Sequence, residues 1–462
     1  MNMKKSLLAF ALAGVVTAPA LAEVSTEYSR VYKPFDKVVF YDGYNDNVFD
    51  KGLDDGILRH ANYLYAKKLT DANLDWFGSE MEMDVTINAL CDNYDRIGNI
   101  SVALVPKGSA TYNHNEVTRL ELARFITPFM DKNKYPDHVG YHYDAKLISL
   151  IFKDKNLRDK YDLWLEYEVF GIPYAANTQI NGCSDRNDVF AGTLTFTCFD
   201  DPAPARTDHV LVPIVMKKPE FKGHNFNNYS EQGTDTIGTA TKTYRFTVPE
   251  GGCSDSNLTL IMSNHGANAG GEEYVPRTHL FYLDGELIAT WKNGKSCEPW
   301  RYVNTQPNGI YGARVKSELV WKNQSNWCPG DAIPTRVFGL GKMEAGEHEV
   351  MIRVPEAQFA DEQGDFPVSM YFQGLKEGQL PVEIDQVESD ADAPAITRDG
   401  DMVRLLRGQV SEVAIYTYDG KFLYGRHTSD PEVSLVGMQP GIYLVNFTLT
   451  DGGTLLYKAV KN

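Results

Sequence analysis

Leu163-Trp164-Leu165-Glu166-Tyr167-Glu168-Val169-Phe170 is the stretch on which the fold turns. It is dense in aromatic and large apolar side chains and is followed at once by Gly171 and Pro173, so it reads as a β-strand. The same reading recurs outward along the chain, upstream at 101–105 and downstream at 192–199, 210–216, 242–248, 258–262, 279–283 and 349–354. Gly, Asn, Asp and Pro clusters separate these runs. Long amphipathic periodicity is scarce, and short helical pieces are expected only at 53–66 and 145–152. Many short strands at this spacing predict β-sandwiches or jelly rolls.

The two ends read differently from the middle. Met1-Asn2-Met3-Lys4-Lys5, an apolar run from Leu7 to Val16 and the small-residue sequence Ala20-Leu21-Ala22 form a secretory leader over 1–22. Its apolar core is too short to span a bilayer, and no later stretch is long and apolar enough to do so. Asp200-Asp201-Pro202-Ala203-Pro204-Ala205 divides a first domain, 23–205, from a second, 206–380. An acidic, small-residue, Pro-bearing linker over 381–394 leads to an all-β module at 395–462.

The formal charge is −17, and the leader carries Lys4 and Lys5 but no acid, so the mature chain is more negative still. That excludes nucleic acid and anionic membrane as favoured partners and leaves carbohydrates and peptides. Aromatics make up 12% of the residues, with 26 tyrosines, which suits sugar faces and β-sandwich cores alike. Six cysteines in an exported chain permit disulfides, and sequence does not choose among the fifteen pairings. No Cys-x-x-Cys, P-loop or G-x-S-x-G elbow is present. His138 and His142 have a metal-like spacing, but Gly140 and the nearby Tyr and Pro residues argue against the helix it would need, so no metal is expected.

Four dense segments remain. Asp92-Asn93-Tyr94-Asp95-Arg96 stands directly before an apolar strand, and in an extended segment Asp92, Tyr94 and Arg96 share one side while Asp95 takes the other. Ser263-Asn264-His265-Gly266-Ala267 leads to Gly270-Gly271-Glu272-Glu273-Tyr274-Val275-Pro276-Arg277-Thr278-His279, a glycine-rich approach to paired carboxylates. Trp327-Cys328-Pro329-Gly330 with Pro334-Thr335-Arg336, and Arg124-Phe125-Ile126-Thr127-Pro128-Phe129, complete the set. Taken alone, the first is a polar turn with a surface ion pair and the second an acidic loop.

In their order along the chain these segments, with Phe35-Asp36-Lys37-Val38, resemble the peptide-N-glycosidase F family over roughly 32–375. The resemblance implies an all-β fold of two side-by-side eight-stranded antiparallel jelly rolls, with the small C-terminal β-sandwich appended. It implies a metal-independent, cofactor-free amidase that cleaves the bond between Asn and N-acetylglucosamine in N-linked glycoproteins or glycopeptides. It assigns catalysis to Asp95, Glu273 and Glu168, and substrate binding to Arg96, Arg336, Tyr94, Tyr274, Phe170 and His265. Tyr94, Tyr274 and Phe170 stand where the family has tryptophans. It implies a Cys297–Cys328 bridge; Cys183–Cys198 is a further candidate as a local clip, with Cys91 and Cys253 left over. The family closes the Asp95 and Glu273 loops with cysteine pairs, and here Gly271 and Val275 replace both cysteines of the second. A monomer without membrane insertion is expected. The C-terminal module resembles the sorting domain of the Bacteroidetes type IX route, which makes secretion machinery a partner. The competing readings are a glycan-binding jelly roll without catalysis and, remotely, a copper monooxygenase.

Overall fold

The structure, a computed structural model, describes residues 29–48, 51–215, 225–226, 240–266, 272–306, 316–359, 364–376, 396–399, 401–405, 409–417, 422–450 and 454–461. The expected leader over 1–22 and linker over 381–394 lie outside them. The protein is built almost wholly of antiparallel sheets.

One sheet of the first sandwich runs Arg30–Tyr41, Asp188–Cys198, Met81–Ala89, His138–Asp144. Facing it is Ala332–Ile333, Thr118–Ile126, Ile97–Pro106, Tyr161–Val169, Leu64–Lys68, Ile57–Ala61. Strand periodicity builds the core: Met81, Met83, Val85, Ile87 and Ala89 all point inward from one strand. They meet Phe35, Phe40, Phe125, Tyr167, Phe190 and Phe196, and each large side chain so buried contributes roughly 1.5–3 kcal/mol.

The second sandwich pairs His209–Val215, Phe366–Lys376, Cys253–Met262, Thr335–Met343 with Thr241–Val248, Gly346–Arg353, Thr278–Leu283, Glu286–Lys292. Its core holds Leu258, Leu260, Phe281, Val350, Ile352, Met370 and Phe372. A third, smaller pair of sheets is formed by strands between Ile396 and Lys461 around Val413, Val445 and Phe447.

The helix expected at 145–152 is Lys146–Lys153, but the one expected at 53–66 is a hairpin of Ile57–Ala61 and Leu64–Lys68. Apolar residues at 57, 58, 61, 64 and 65 suit either period. Long-range pairing of Leu64–Lys68 with Tyr161–Val169 decides for strand, and Asn62 fixes the turn. Its buried amide donates to the Asp42 carbonyl at 2.8 Å and accepts the Val48 N–H at 2.9 Å.

Two features weld the sandwiches. Ala332–Ile333, from the second half of the chain, pairs with Phe125 and Arg124 at the edge of the first sandwich's sheet. Arg124, fully buried, donates to both Glu121 oxygens (2.8 and 2.7 Å) and, across the seam, to Ser263 Oγ (2.7 Å) and the Pro367 carbonyl (2.9 Å). Nor is the rest of that sheet's outer face a solvent face, where Tyr112 bonds Glu166 and the His114 carbonyl accepts from Arg119. Glu166, Glu168 and Arg119 alternate with core residues there, yet all three are buried.

Candidate active site

Strand direction gathers the four segments at one end. Asp95 precedes Ile97–Pro106, Thr127 follows Thr118–Ile126, and Phe170 follows Tyr161–Val169. From the second sandwich, His265 follows Cys253–Met262, Tyr274 precedes Thr278–Leu283, and Asp365 precedes Phe366–Lys376.

The Asp95 loop is held from both sides. Asp92, fully buried, takes Arg96 Nε at 2.7 Å and Nη2 at 3.4 Å, and accepts the N–H groups of Tyr94 (2.9 Å) and Ile172 (2.7 Å). Thr127 Oγ1 accepts the Arg96 N–H at 2.7 Å and donates to the Tyr94 carbonyl at 3.0 Å. Arg96 lies 5.3 Å over the Tyr94 ring, so Asp92, Tyr94 and Arg96 interlock while Asp95 feels the charge of Glu273. Burial first, then the charge of Glu273, push the Asp95 carboxyl up to about 8, against the pull of Arg96.

Glu273 is half-buried, and burial raises its pKa. Its Oε2 accepts the Gly266 N–H at 3.0 Å, and the Tyr274 hydroxyl hydrogen-bonds it, both favouring the ionised form. Tyr274 also feels Asp95, so these three groups form one electrostatic unit across the seam. The preceding Glu272 has a structural task. It is fully buried, grips Arg277 at 2.7 and 3.1 Å, and accepts the N–H groups of Gln358 and Phe359. The Asn326 amide donates to the carbonyls of Glu272 and Glu273, each at 2.7 Å.

The remaining sequence-predicted residues sit in a wider ring. Glu168 accepts Asn99 Nδ2 at 2.8 Å, and Asn99 is also the cross-strand neighbour of Arg124, which ties Glu168 to the seam. His265 is buried, bonds Ser263 Oγ through Nε2 at 2.7 Å, and lies 5.7 Å from the Trp327 ring. Burial, then Arg124, lower its pKa to about 3, so it is a neutral imidazole. Phe170 packs with Tyr44 and Tyr63 rather than with Tyr94. Arg336 lies over Trp291 and bonds Asn293, and neither contact belongs to the Asp95–Glu273 unit.

The cysteine expectation is corrected in part. Cys297 and Cys328 are bonded, but Cys183 joins Cys91, not Cys198. Cys183 lies before, and Cys198 at the far end of, the extended strand Asp188–Cys198, which places them about 30 Å apart. Cys91 and Cys183 instead meet in a small cluster with Ala176 and Ile180. Two bridges are the chemistry of an oxidising compartment. Among the described residues no helix is long and apolar enough to cross a membrane.

Three residues at the site escaped the sequence reading. Asp365 has its carboxyl raised to about 6 by burial and by Glu273, against the Arg124 guanidinium, and its backbone bridges His265. Tyr174, well exposed, lies 6.0 Å from the Tyr94 ring, and Tyr44 caps Phe170. None stands in a motif; Asp365 comes in by tertiary approach, since a Cβ at the neighbouring Gly364 would meet the His265 carbonyl at 2.8 Å.

Comparison with known proteins bears on this geometry. The family model described as peptide-N-glycosidase F, N terminal, matches residues 33–184, and that described as peptide-N-glycosidase F, C terminal, matches 233–373. No curated protein matches the chain. Two crystal forms of a protein called PNGF-II resemble it at 17% identity, with TM-scores of 0.53 and 0.54, over 75% and 77% of this chain. The chain spans 66% of the length of those structures. PNGase F, a glycosylasparaginase from Flavobacterium meningosepticum, aligns at 15% identity and a TM-score of 0.47, over 75% of this chain and 96% of its own. At such identities the PNGF-II likeness speaks for the fold alone. With the family's two halves matched in order over more than half of its length, the chain belongs to the peptide-N-glycosidase F family.

Proposed function

We propose that the protein hydrolyses the amide bond between asparagine and N-acetylglucosamine in N-linked glycoproteins or glycopeptides, releasing the intact glycan and leaving aspartate. The observation that carries this reading is the electrostatic coupling of Asp95, before a strand of the first sandwich, to Glu273, before a strand of the second. An amide is a poor electrophile and its amine a poor leaving group, so hydrolysis needs a base for water and an acid for nitrogen. Two carboxyls that feel each other's charge in a partly buried site resist ionising together. Asp95, with its pKa near 8, holds a proton at neutral pH and supplies it to the departing nitrogen. Glu273, whose pKa burial raises while the Gly266 N–H and the Tyr274 hydroxyl favour its ionised form, takes a proton from water as it attacks the side-chain carbonyl. Arg96 engages Asp92 through Nε and Nη2, leaving Nη1 for the developing oxyanion or the first sugar. Tyr94, Tyr174 and Tyr274 offer ring faces to the glycan.

The test is mass spectrometry of a denatured N-glycoprotein after incubation with the protein and, separately, with Asp95→Asn. Intact glycan release with Asn converted to Asp, absent with Asp95→Asn, is expected. Cleavage between the two core sugars, or undiminished activity of Asp95→Asn, sinks the reading. The module after the linker is proposed to direct export, and deletion of residues 395–462 should leave the protein inside the cell. Export unchanged by that deletion rejects this role.

A further inference from the structure

Lys295, two residues before the bridged Cys297, and Arg336 are two partly buried cations in a chain whose formal charge is −17. Lys295 bonds Asp331 and lies 4.8 Å over the Trp300 ring. Arg336 lies 4.7 Å over Trp291 and donates to Asn293 Oδ1 at 3.1 Å. The two cations are neighbours, since Asn293, which Arg336 bonds, is two residues before Lys295; burial and then Arg336 hold the Lys295 ammonium down to about 8. Arg336 is half-buried, burial alone lowers it to about 10, and among the described residues no carboxylate pairs with it.

Charges taken out of water are ordinarily paired, because an uncompensated one is costly. Here one cation lacks an acid and bears on the other, so a visiting anion lowers the free energy of both. The donors to meet it are present. An ammonium has three and Lys295 engages Asp331; a guanidinium has five and Arg336 gives one to Asn293. The tryptophan faces hold both cations in place. This pair of cations shares a footing with the candidate catalytic unit. Trp300 and Tyr94, the residue before Asp95, pack on the same cluster of Phe129, Trp321 and the Cys297–Cys328 bridge.

We propose that Lys295 and Arg336 form a subsite for the carboxylate of an acidic sugar in the glycan, and so set a preference for acidic over neutral glycans. The inference rests on the glycan reading of the neighbouring site, but it concerns binding, so it is tested without turnover. The probes are a free oligosaccharide ending in a carboxylate-bearing sugar and the same molecule with that carboxylate converted to a methylamide. Calorimetric titration of Asp95→Asn should show the acid form binding about tenfold more tightly, the worth of one charge-assisted contact. Lys295→Gln and Arg336→Gln should each remove most of that preference. Equal affinity for the two probes, no binding of either, or a preference that survives both substitutions overturns the proposal. So does a preference that follows an acidic residue placed beside the asparagine of a peptide bearing a neutral glycan. An enzyme active on neutral glycopeptides with no acid preference rejects the subsite alone. An inactive chain that prefers the acid form rejects the amidase alone.

Discussion

The loop that presents Asp95 is closed by a covalent bond as well as a buried charge pair, and the loop that presents Glu273 by a buried charge pair. Cys91, four residues before Asp95, is bridged to Cys183 across 92 residues of sequence. Glu272, the residue before Glu273, is gripped by Arg277, two backbone N–H groups and, through its carbonyl, the Asn326 amide. Both devices fix a carboxylate at the seam of the two sandwiches, which is where amide chemistry needs it preorganised. The comparison teaches that a saturated ion pair can take the place of a crosslink, with a different weakness. The first loop has a bond that a reductant cuts only once its buried sulfurs are exposed, and it keeps the Asp92–Arg96 pair besides. The second is indifferent to reductant, and loss of one partner strands the other.

The largest effect should come from breaking the charge pair. Glu272→Ala leaves the half-buried Arg277 without its acid and removes the acceptor of the Gln358 and Phe359 N–H groups. Removing one partner of such a pair costs about 3–5 kcal/mol. Denaturant unfolding should show it, with activity lost even below the new transition because Glu273 is displaced. A stability change under about 1 kcal/mol would mean the pair is solvated and the second loop is held otherwise.

Next is the covalent device. The Cys91→Ser, Cys183→Ser double variant should lose about 2–4 kcal/mol. Its activity at low temperature should persist, because Asp92 still binds Arg96 and the Tyr94 and Ile172 N–H groups. Activity and stability falling together would show that the bridge, not the Asp92 network, places Asp95. Asn326→Ala should follow at about 1–3 kcal/mol, since it leaves buried carbonyls without a donor. Its mark is a fall in activity with little change in the pH profile, because no titrating group is removed.

This comparison also shows what sequence can carry. Strands such as Leu163–Phe170 were legible because periodicity and punctuation are local, and the order of the four segments identified the family. Cys91–Cys183 was not legible: Cys183 has a nearer candidate in Cys198, and only the length of the strand between them excludes it. Nor was the Glu272–Arg277 pair, since two adjacent glutamates look alike until one is buried under Gln358 and Phe359. The hairpin at 57–68 and the strand Ala332–Ile333 crossing to the first sandwich were hidden for a related reason, as distant pairing outranked local preference. Asp365 belongs to the site through tertiary approach alone.

The smallest expected effect sharpens the comparison, because it asks which loop carries the strained acid. Asp95 has a folded-state pKa near 8, well above the value of an unfolded aspartate. A raised carboxyl binds its proton more tightly in the folded protein. Its stabilising contribution is therefore complete below about pH 4 and is lost as pH rises through about 8. Asp95→Asn cannot ionise and escapes that loss. The variant should match the wild type near pH 4 and exceed it by about 1–2 kcal/mol near pH 9, less than the full shift implies, since the residue is partly exposed and water screens it. Thermal unfolding at several pH values reads this directly. A constant difference across that range would mean that Asp95 is ionised throughout, and the acid role would pass to Glu273.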